Sequence, residues 1–184
     1  RTEIIDNETN LTYQQKDFTW DTTLANNYYT TLLLEENLSQ FDGTITPKIS
    51  STSYEYDSYG NILSKATGGD LALAGDERYE YIDFVYNTSL WIVQTQKQYR
   101  LYDADNTTLL RQIKYTYDGQ TFDDGPIRGD ITKQEQTVEG ANTSITQYTY
   151  DSHGNILTKT DPNNRQTTFM YGTDDPTFTF ADNE

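Results

Sequence analysis

The chain has 184 residues, a formal net charge of −16, 34% hydrophobic residues, sixteen Tyr and no Cys. The negative charge argues against binding to nucleic acid or to an anionic membrane surface, because both require clustered Lys and Arg. The lack of Cys excludes disulfides and zinc–thiolate sites, and no apolar run approaches the ~20 residues of a membrane span. The abundance of Tyr and Thr favours a β protein.

The first predicted region, residues 1–49, has no clear repeat and is expected to be a β-rich segment of unclear pairing. Its apolar stretch from Leu24 to Leu34 fits a strand or a short helix, and the neighbouring Thr residues favour a strand. The tripeptide Phe41-Asp42-Gly43 is typical of a turn. The chain begins at Arg1 rather than Met, so we expect it to be processed or excised from a longer polypeptide.

The second predicted region, residues 50–184, contains one decapeptide twice, at Tyr54–Leu63 and at Tyr148–Leu157. Tyr-x-Tyr places two rings on one face of a strand. The following Asp opens a tight turn, Gly supplies its left-handed residue, and Asn-Ile-Leu begins a returning strand. Each copy therefore predicts a β-hairpin that ends in a type I turn with a bulge.

Partial copies of the phrase lie between the two full ones. They begin at Tyr79, Tyr99 and Tyr115, so a unit of about 20 residues predicts one hairpin per repeat. Ser89–Gln96 is predicted to be a buried strand. Asp161-Pro162-Asn163-Asn164 is predicted to form a second type of corner, between strands Ile156–Thr160 and Gln166–Tyr171. No helix is predicted after residue 50.

At these residues the chain resembles the Rhs/YD-repeat family, whose repeat runs Tyr-x-Tyr-Asp-x-x-Gly-Arg/Asn-Leu. Asn61 and Asn155, in place of Arg, resemble the subgroup found in B components of insecticidal Tc toxins and related secreted bacterial proteins. The resemblance covers about residues 50–172, with Asn164 where relatives often have Gly. The residues expected to define the repeat and its turns are Tyr54, Tyr56, Asp57, Gly60, Tyr115, Tyr117, Asp118, Tyr148, Tyr150, Asp151 and Gly154.

The resemblance implies an all-β fold of antiparallel hairpins stacked into a spiral or curved sheet that is part of a larger shell, in an extracellular or cell-surface protein whose partners are further YD repeats. A short array leaves open strand edges that can pair with copies of the chain, so a head-to-tail fibre is the other expected assembly. No constellation of acid, base and nucleophile stands out, so we expect a non-enzymatic structural protein. The family's self-cleaving core has no match here, so no catalytic residue is carried over. The alternative function is an adhesin that binds a glycan or a surface protein through Tyr-rich loops, with Tyr59 as an exposed test residue.

Other motifs have simpler structural explanations. The acid pairs 103/105, 123/124 and 174/175 are expected to be solvated loop residues, and no cofactor is predicted, although Asp103, Asp105 and Asn106 resemble half of a calcium loop. His153, the single histidine, is expected at an exposed turn, and Arg128-Gly129-Asp130 at a repeat turn rather than an integrin site. The Asn-x-Ser/Thr triplets begin at Asn7, Asn10, Asn37, Asn87, Asn106 and Asn142.

Overall fold

The computed structural model is a single antiparallel sheet of twelve strands in sequence order. It describes residues 1–6, 8, 11–25, 28–41, 44–138 and 143–171. The strands are β1 Thr2–Ile5, β2 Thr12–Ala25, β3 Tyr28–Gln40, β4 Lys48–Tyr56, β5 Ile62–Gly68, β6 Arg78–Asn87, β7 Ile92–Tyr102, β8 Leu109–Tyr117, β9 Ile131–Val138, β10 Ser144–Tyr150, β11 Ile156–Thr160 and β12 Gln166–Thr168. The predicted all-β fold of antiparallel hairpins is confirmed.

Each strand contacts only the strands next to it in the sequence. The segment of unclear pairing forms the ladder β1–β2–β3–β4, and β2 and β3 build one long hairpin from Gln14↔Gln40 to Ala25↔Tyr28. Residues 49 and 50 lie inside β4, so the same sheet continues across that division. Asp42 and Gly43 of the expected turn lie outside the described residues.

The register separates two faces of the sheet. One face carries the tyrosine pairs 54/56, 115/117 and 148/150 together with Tyr99 and Ile113, and we call it the tyrosine face. The other face carries mostly Ser, Thr, Gln and charged side chains, such as Glu55 opposite Ser64, and also Tyr79, Tyr81 and Tyr102. This alternation follows from the period of two along a strand.

Very few side chains are buried. Among the described hydrophobic residues, only Ile113, Tyr117 and Pro126 expose less than a tenth of their surface. They lie in or beside the middle of the sheet, while every residue of β1 and β12 is exposed. The described part of the chain also contains no helix, and hence none with the length and apolarity of a membrane span.

The hairpin between β6 and β7 differs from one prediction. β6 runs from Arg78 to Asn87, and the carboxylate of Asp83 within it accepts a bond from Arg100 of the paired strand at 2.8 Å. The predicted strand Ser89–Gln96 begins only at Ile92, since residues 88–91 form the hairpin tip. Trp91 in that tip is exposed and adopts a φ of 55°.

Of the two strands predicted around the β11–β12 turn, the second differs from its prediction. β11 spans Ile156–Thr160 as expected, and β12 is shorter than predicted, ending at Thr168. Asn164 has a φ of 60°, the left-handed conformation that Asn tolerates best after Gly.

Candidate functional site

The turn after β4 is organised around one carboxylate. Oδ1 of Asp57 accepts the backbone N–H groups of Tyr59 and Asn61, both at 2.8 Å, and Oδ2 accepts the side-chain amide of Asn61 at 2.7 Å. The N–H of Asp57 donates to the carbonyl of Asn61 at 2.9 Å. Gly60 closes the turn with a φ of 85°, where a side chain would be strained.

The turn after β10 repeats this geometry. Asp151 accepts the N–H groups of His153 at 2.8 Å and Asn155 at 2.9 Å, together with the Asn155 side-chain amide at 2.8 Å. Gly154 has a φ of 88°. The duplicated decapeptide is therefore the same structural unit in both places.

Asp161 forms the same unit, which corrects the prediction of a second type of corner. Its Oδ1 accepts the N–H groups of Asn163 and Arg165, both at 2.9 Å, and its own N–H donates to the Arg165 carbonyl at 2.9 Å. Asn164 takes the place of Gly. This copy was not recognised in the sequence because Pro162 and Asn164 depart from the Asp-x-x-Gly pattern.

Asp118 uses its carboxylate differently, since thirteen residues separate β8 from β9. It accepts the four consecutive N–H groups of residues 127–130, at 2.7 to 3.1 Å. The Arg128-Gly129-Asp130 tripeptide is thus part of the loop that encloses Asp118. Within it, Nε of Arg128 lies 3.3 Å from Oδ2 of Asp130, so the two charged side chains pair with each other.

Hydrogen bonding lowers the pKa of Asp57, Asp118 and Asp151. Burial alone would raise the pKa of Asp57 and Asp118, but the bonds donated to each carboxylate outweigh burial and lower it. For Asp151, the bonds from Asn155 are the main cause of the lower pKa. The ionised form of each aspartate is therefore the one that holds its turn.

The second tyrosine of each pair makes a recurring contact with the preceding strand. The backbone pairing of the two strands ends three residues before that tyrosine. The tyrosine hydroxyl donates to a carbonyl of the preceding strand that lies two residues beyond the last paired residue. A side chain thereby continues the pairing where the backbones separate. The three bonds are Tyr56 to Leu33 at 2.8 Å, Tyr117 to Gln96 at 2.6 Å and Tyr150 to Ile131 at 2.7 Å.

The first tyrosine of each pair packs along the tyrosine face. The ring of Tyr54 lies 6.4 Å from that of Tyr56, and the ring of Tyr115 lies 6.5 Å from that of Tyr117. The ring of Tyr148 lies under the ammonium group of Lys159, at 6.0 Å. These tyrosines are half-buried and contact their neighbours within the sheet.

Contacts between turns join one hairpin to the next. The hydroxyl of Tyr86 in β6 donates to Oδ2 of Asp57 at 2.7 Å. Burial, followed by this bond, raises the pKa of Tyr86 to about 12. The side-chain amide of Asn61 also donates to the carbonyl of Val93 in β7, at 2.7 Å. Tyr59 packs on Tyr86 with ring centroids 5.2 Å apart.

The β8–β9 loop lies at the same end of the strands and makes further contacts between turns. The side-chain amide of Asn87 donates to the carbonyl of the buried Pro126 at 2.8 Å. Arg128 donates to the carbonyl of Asp151 at 3.4 Å. The turns after β4, β6, β8 and β10 therefore form one connected row at the same end of these strands, and we call it the turn row.

The three calcium candidates lie together in the β7–β8 turn, where protein groups contact their oxygens. Asp103 pairs with Arg78 at 2.8 Å, Asp105 accepts bonds from Thr107 and Thr108, and Asn106 bonds to the Tyr81 hydroxyl. Nowhere in the described ranges do three acidic or histidine side chains converge as metal ligands. The absence of a cofactor stays a prediction, which calorimetric titration with Ca²⁺ would test.

His153 is strongly exposed, and its Nδ1 lies 3.3 Å from the Ser152 hydroxyl and 3.9 Å from Asp151. Both contacts involve the same ring nitrogen, so the geometry is not that of a catalytic triad. Two of the Asn-x-Ser/Thr triplets begin at residues with structural bonds, Asn87 and Asn106. The triplets at Asn7, Asn10 and Asn142 and the acid pair 174/175 lie outside the described residues.

Sequence reasoning missed the contacts that Asn61, Asn155, Tyr86 and Trp91 make. The repetition of Asn after each turn Gly was a usable signal, because a side-chain amide can return to the turn carboxylate. Tyr86 and Trp91 contact Asp57 and Tyr59 of the neighbouring hairpin, and no local sequence pattern predicts such contacts.

Comparison with known families supports this geometry. A family model described as RHS Repeat matches residues 131–172, which include β9 to β12. No curated protein matches the chain. Residues 131–172 are therefore an RHS repeat, and the resemblance to the Rhs/YD-repeat family is confirmed for that part of the chain.

Proposed function

We propose that this chain is a non-enzymatic structural segment of an extracellular or cell-surface bacterial protein. It would act as part of a shell wall, or would assemble with copies of itself into a fibre. The single observation that carries this proposal is a one-layer sheet in which the turn row joins the hairpins from β4 to β11 and few of the described side chains are buried. Such an array gains stability by adding neighbours at its ends.

The edge strands support growth at both ends. Within the described residues, β1 and β12 each pair with one neighbour, so one side of each strand offers backbone groups for pairing. Ile4 and Ile5 of β1 are also exposed. Pairing of β12 in one copy with β1 in the next is a head-to-tail contact, which builds an open polymer rather than a closed dimer.

The extracellular location rests on the resemblance to Rhs/YD-repeat proteins, and the partners would be further repeats of a parent chain or second copies. The net charge of −16 supports the exclusion of nucleic acid as a partner. Localisation can be tested by fractionating the producing cells and detecting the chain in the medium, at the surface or inside.

Sedimentation velocity over a hundredfold concentration range, with electron microscopy of the most concentrated sample, tests self-assembly. We expect larger species as the concentration rises. A Lys on an edge strand, Ile4→Lys or Thr167→Lys, should shift them toward monomer. The matched control Ile45→Lys, at an exposed position in the β3–β4 connection, should leave assembly unchanged. A monomer at every concentration would contradict self-assembly.

A further inference from the structure

The tip of the β6–β7 hairpin holds a tryptophan ring in solvent. Trp91 exposes 72% of its surface and has a φ of 55°, a conformation that bulky side chains rarely adopt. At similar φ values the described part of the chain elsewhere uses Asn106, Asp118 and Asn164, whose short polar side chains tolerate this conformation. Strain of this kind at an exposed aromatic residue is typical of a site where the side chain has a function.

The backbone around Trp91 is held by defined contacts. The N–H of Trp91 donates to the Thr88 carbonyl at 3.3 Å, and that of Leu90 donates to the Asn87 side chain at 3.2 Å. Asn87 in turn donates to Pro126. The backbone that carries the indole is therefore held in place before any ligand arrives, which reduces the entropy lost on binding.

A second ring reaches the same place from the neighbouring turn. The ring of Tyr59 lies 6.1 Å from that of Trp91, at an angle of 87°. Tyr59 is itself supported by Tyr86, whose hydroxyl is bonded to Asp57. Beside the indole lies a groove of about 440 Å³, lined by residues 91–95, among which Gln94 and Thr95 are polar.

We propose that Trp91 and Tyr59 form a binding site for a neutral glycan. The flat apolar face of a sugar ring would stack on the indole, and its hydroxyl groups would bond to polar groups of the groove. The net charge of −16, with Asp123, Asp124 and Asp151 on neighbouring turns, disfavours anionic glycans. This site is independent of the edge strands, so it adds to the structural role.

Tryptophan fluorescence gives a direct test, because the chain has only two Trp residues. In the Trp20→Phe variant, Trp91 is the sole source of tryptophan emission. We expect a saturable change in that emission on titration with at least one neutral hexaose of glucose, N-acetylglucosamine, mannose or xylose. Heparin-derived oligosaccharides of equal length should bind at least tenfold more weakly. No saturable change with any neutral hexaose, or stronger heparin binding, would overturn the proposal.

Two variants separate binding from folding. Calorimetry should show at least a tenfold loss of affinity for Trp91→Asn and for Tyr59→Ala, and no loss for the control Tyr29→Ala, another strongly exposed aromatic residue. Trp91→Asn should melt at the same temperature as the wild type or higher, because Asn tolerates that backbone conformation. Unchanged affinity in Trp91→Asn would overturn the site.

Discussion

At the scale of single residues, stability comes from hydroxyl and carboxylate groups that replace missing backbone partners. Tyr56, Tyr117 and Tyr150 donate to carbonyls where a ladder has ended. Burial and neighbouring groups raise the pKa of each of these tyrosines, to about 12 for Tyr117. The protonated hydroxyl that makes the bond therefore persists across the physiological range.

The tyrosine bonds predict a graded loss of stability. Tyr117→Phe should lower the free energy of unfolding by about 0.5–1.5 kcal/mol, because the buried hydroxyl bond is lost and the Gln96 carbonyl loses this donor. Tyr56→Phe and Tyr150→Phe should cost less, since they are more exposed. Urea unfolding measures the loss, with Tyr29→Phe as the exposed control. A Tyr117→Phe variant as stable as that control would contradict the role.

The turn aspartates predict acid sensitivity. The pKa values of Asp57, Asp118 and Asp151 are lower in the folded chain than in the unfolded chain, whose value is 3.8. Their contribution to stability is therefore complete above about pH 5 and is lost as the pH falls through the unfolded and then the folded pKa values. Urea unfolding at pH 6 and pH 3 should show this loss, and Asp118→Asn should reduce it. If Asp118→Asn lost as much stability as the wild type between pH 6 and pH 3, titration of Asp118 would not contribute to the acid sensitivity.

At the scale of secondary-structure elements, the turn is the unit that repeats. Asp57, Asp151 and Asp161 each bind the N–H groups two and four residues ahead, and a left-handed residue closes each turn. Gly fills that position twice and Asn once. The conformation, rather than glycine itself, is what the turn requires.

This requirement predicts an order among substitutions at Gly60. A Cβ there would meet no atom within 4 Å, so only the backbone conformation is strained. Gly60→Ala should cost about 1–2 kcal/mol of unfolding free energy. Gly60→Asn should cost clearly less, because Asn164 occupies the equivalent position. Thermal melts would measure both, and an equal cost for the two variants would show that left-handed propensity does not govern the turn.

The hairpins were predictable because their signals are local. Asp-x-x-Gly after Tyr-x-Tyr located β4–β5 and β10–β11, and the boundaries of β11 were correct. One local signal was overlooked. The consecutive apolar pairs Ile62-Leu63 and Ile156-Leu157 mark places where the register shifts by one residue. A bulge of this kind sets two residues against one on the partner strand.

The features that the sequence did not predict depend on contacts between residues that are distant in sequence. Asn61 meets Val93, and Asp118 is enclosed by residues 127–130, although neither contact has a local pattern. The strand Ser89–Gln96 was misplaced for the same reason. Leu90, Trp91, Ile92 and Val93 resemble a buried run, but the length of β6 and its capping Asn87 put the first two in the turn.

At the scale of the whole molecule, the sheet is a linear array without a second layer in the described residues. Strands meet only their sequence neighbours, and the described hydrophobic residues with the least exposure lie near β8. Stability in such an array is a sum of local terms and neighbour contacts. It should therefore fall gradually from the middle strands toward the edges.

Native-state hydrogen exchange, resolved by strand, tests this account most directly. We predict the strongest protection in β7 and β8, decreasing through β4 and β10 to the weakest in β1 and β12, at a concentration where the chain is monomeric. Uniform protection across all twelve strands, or a maximum at β1 or β12, would contradict an array held together by contacts between neighbouring hairpins.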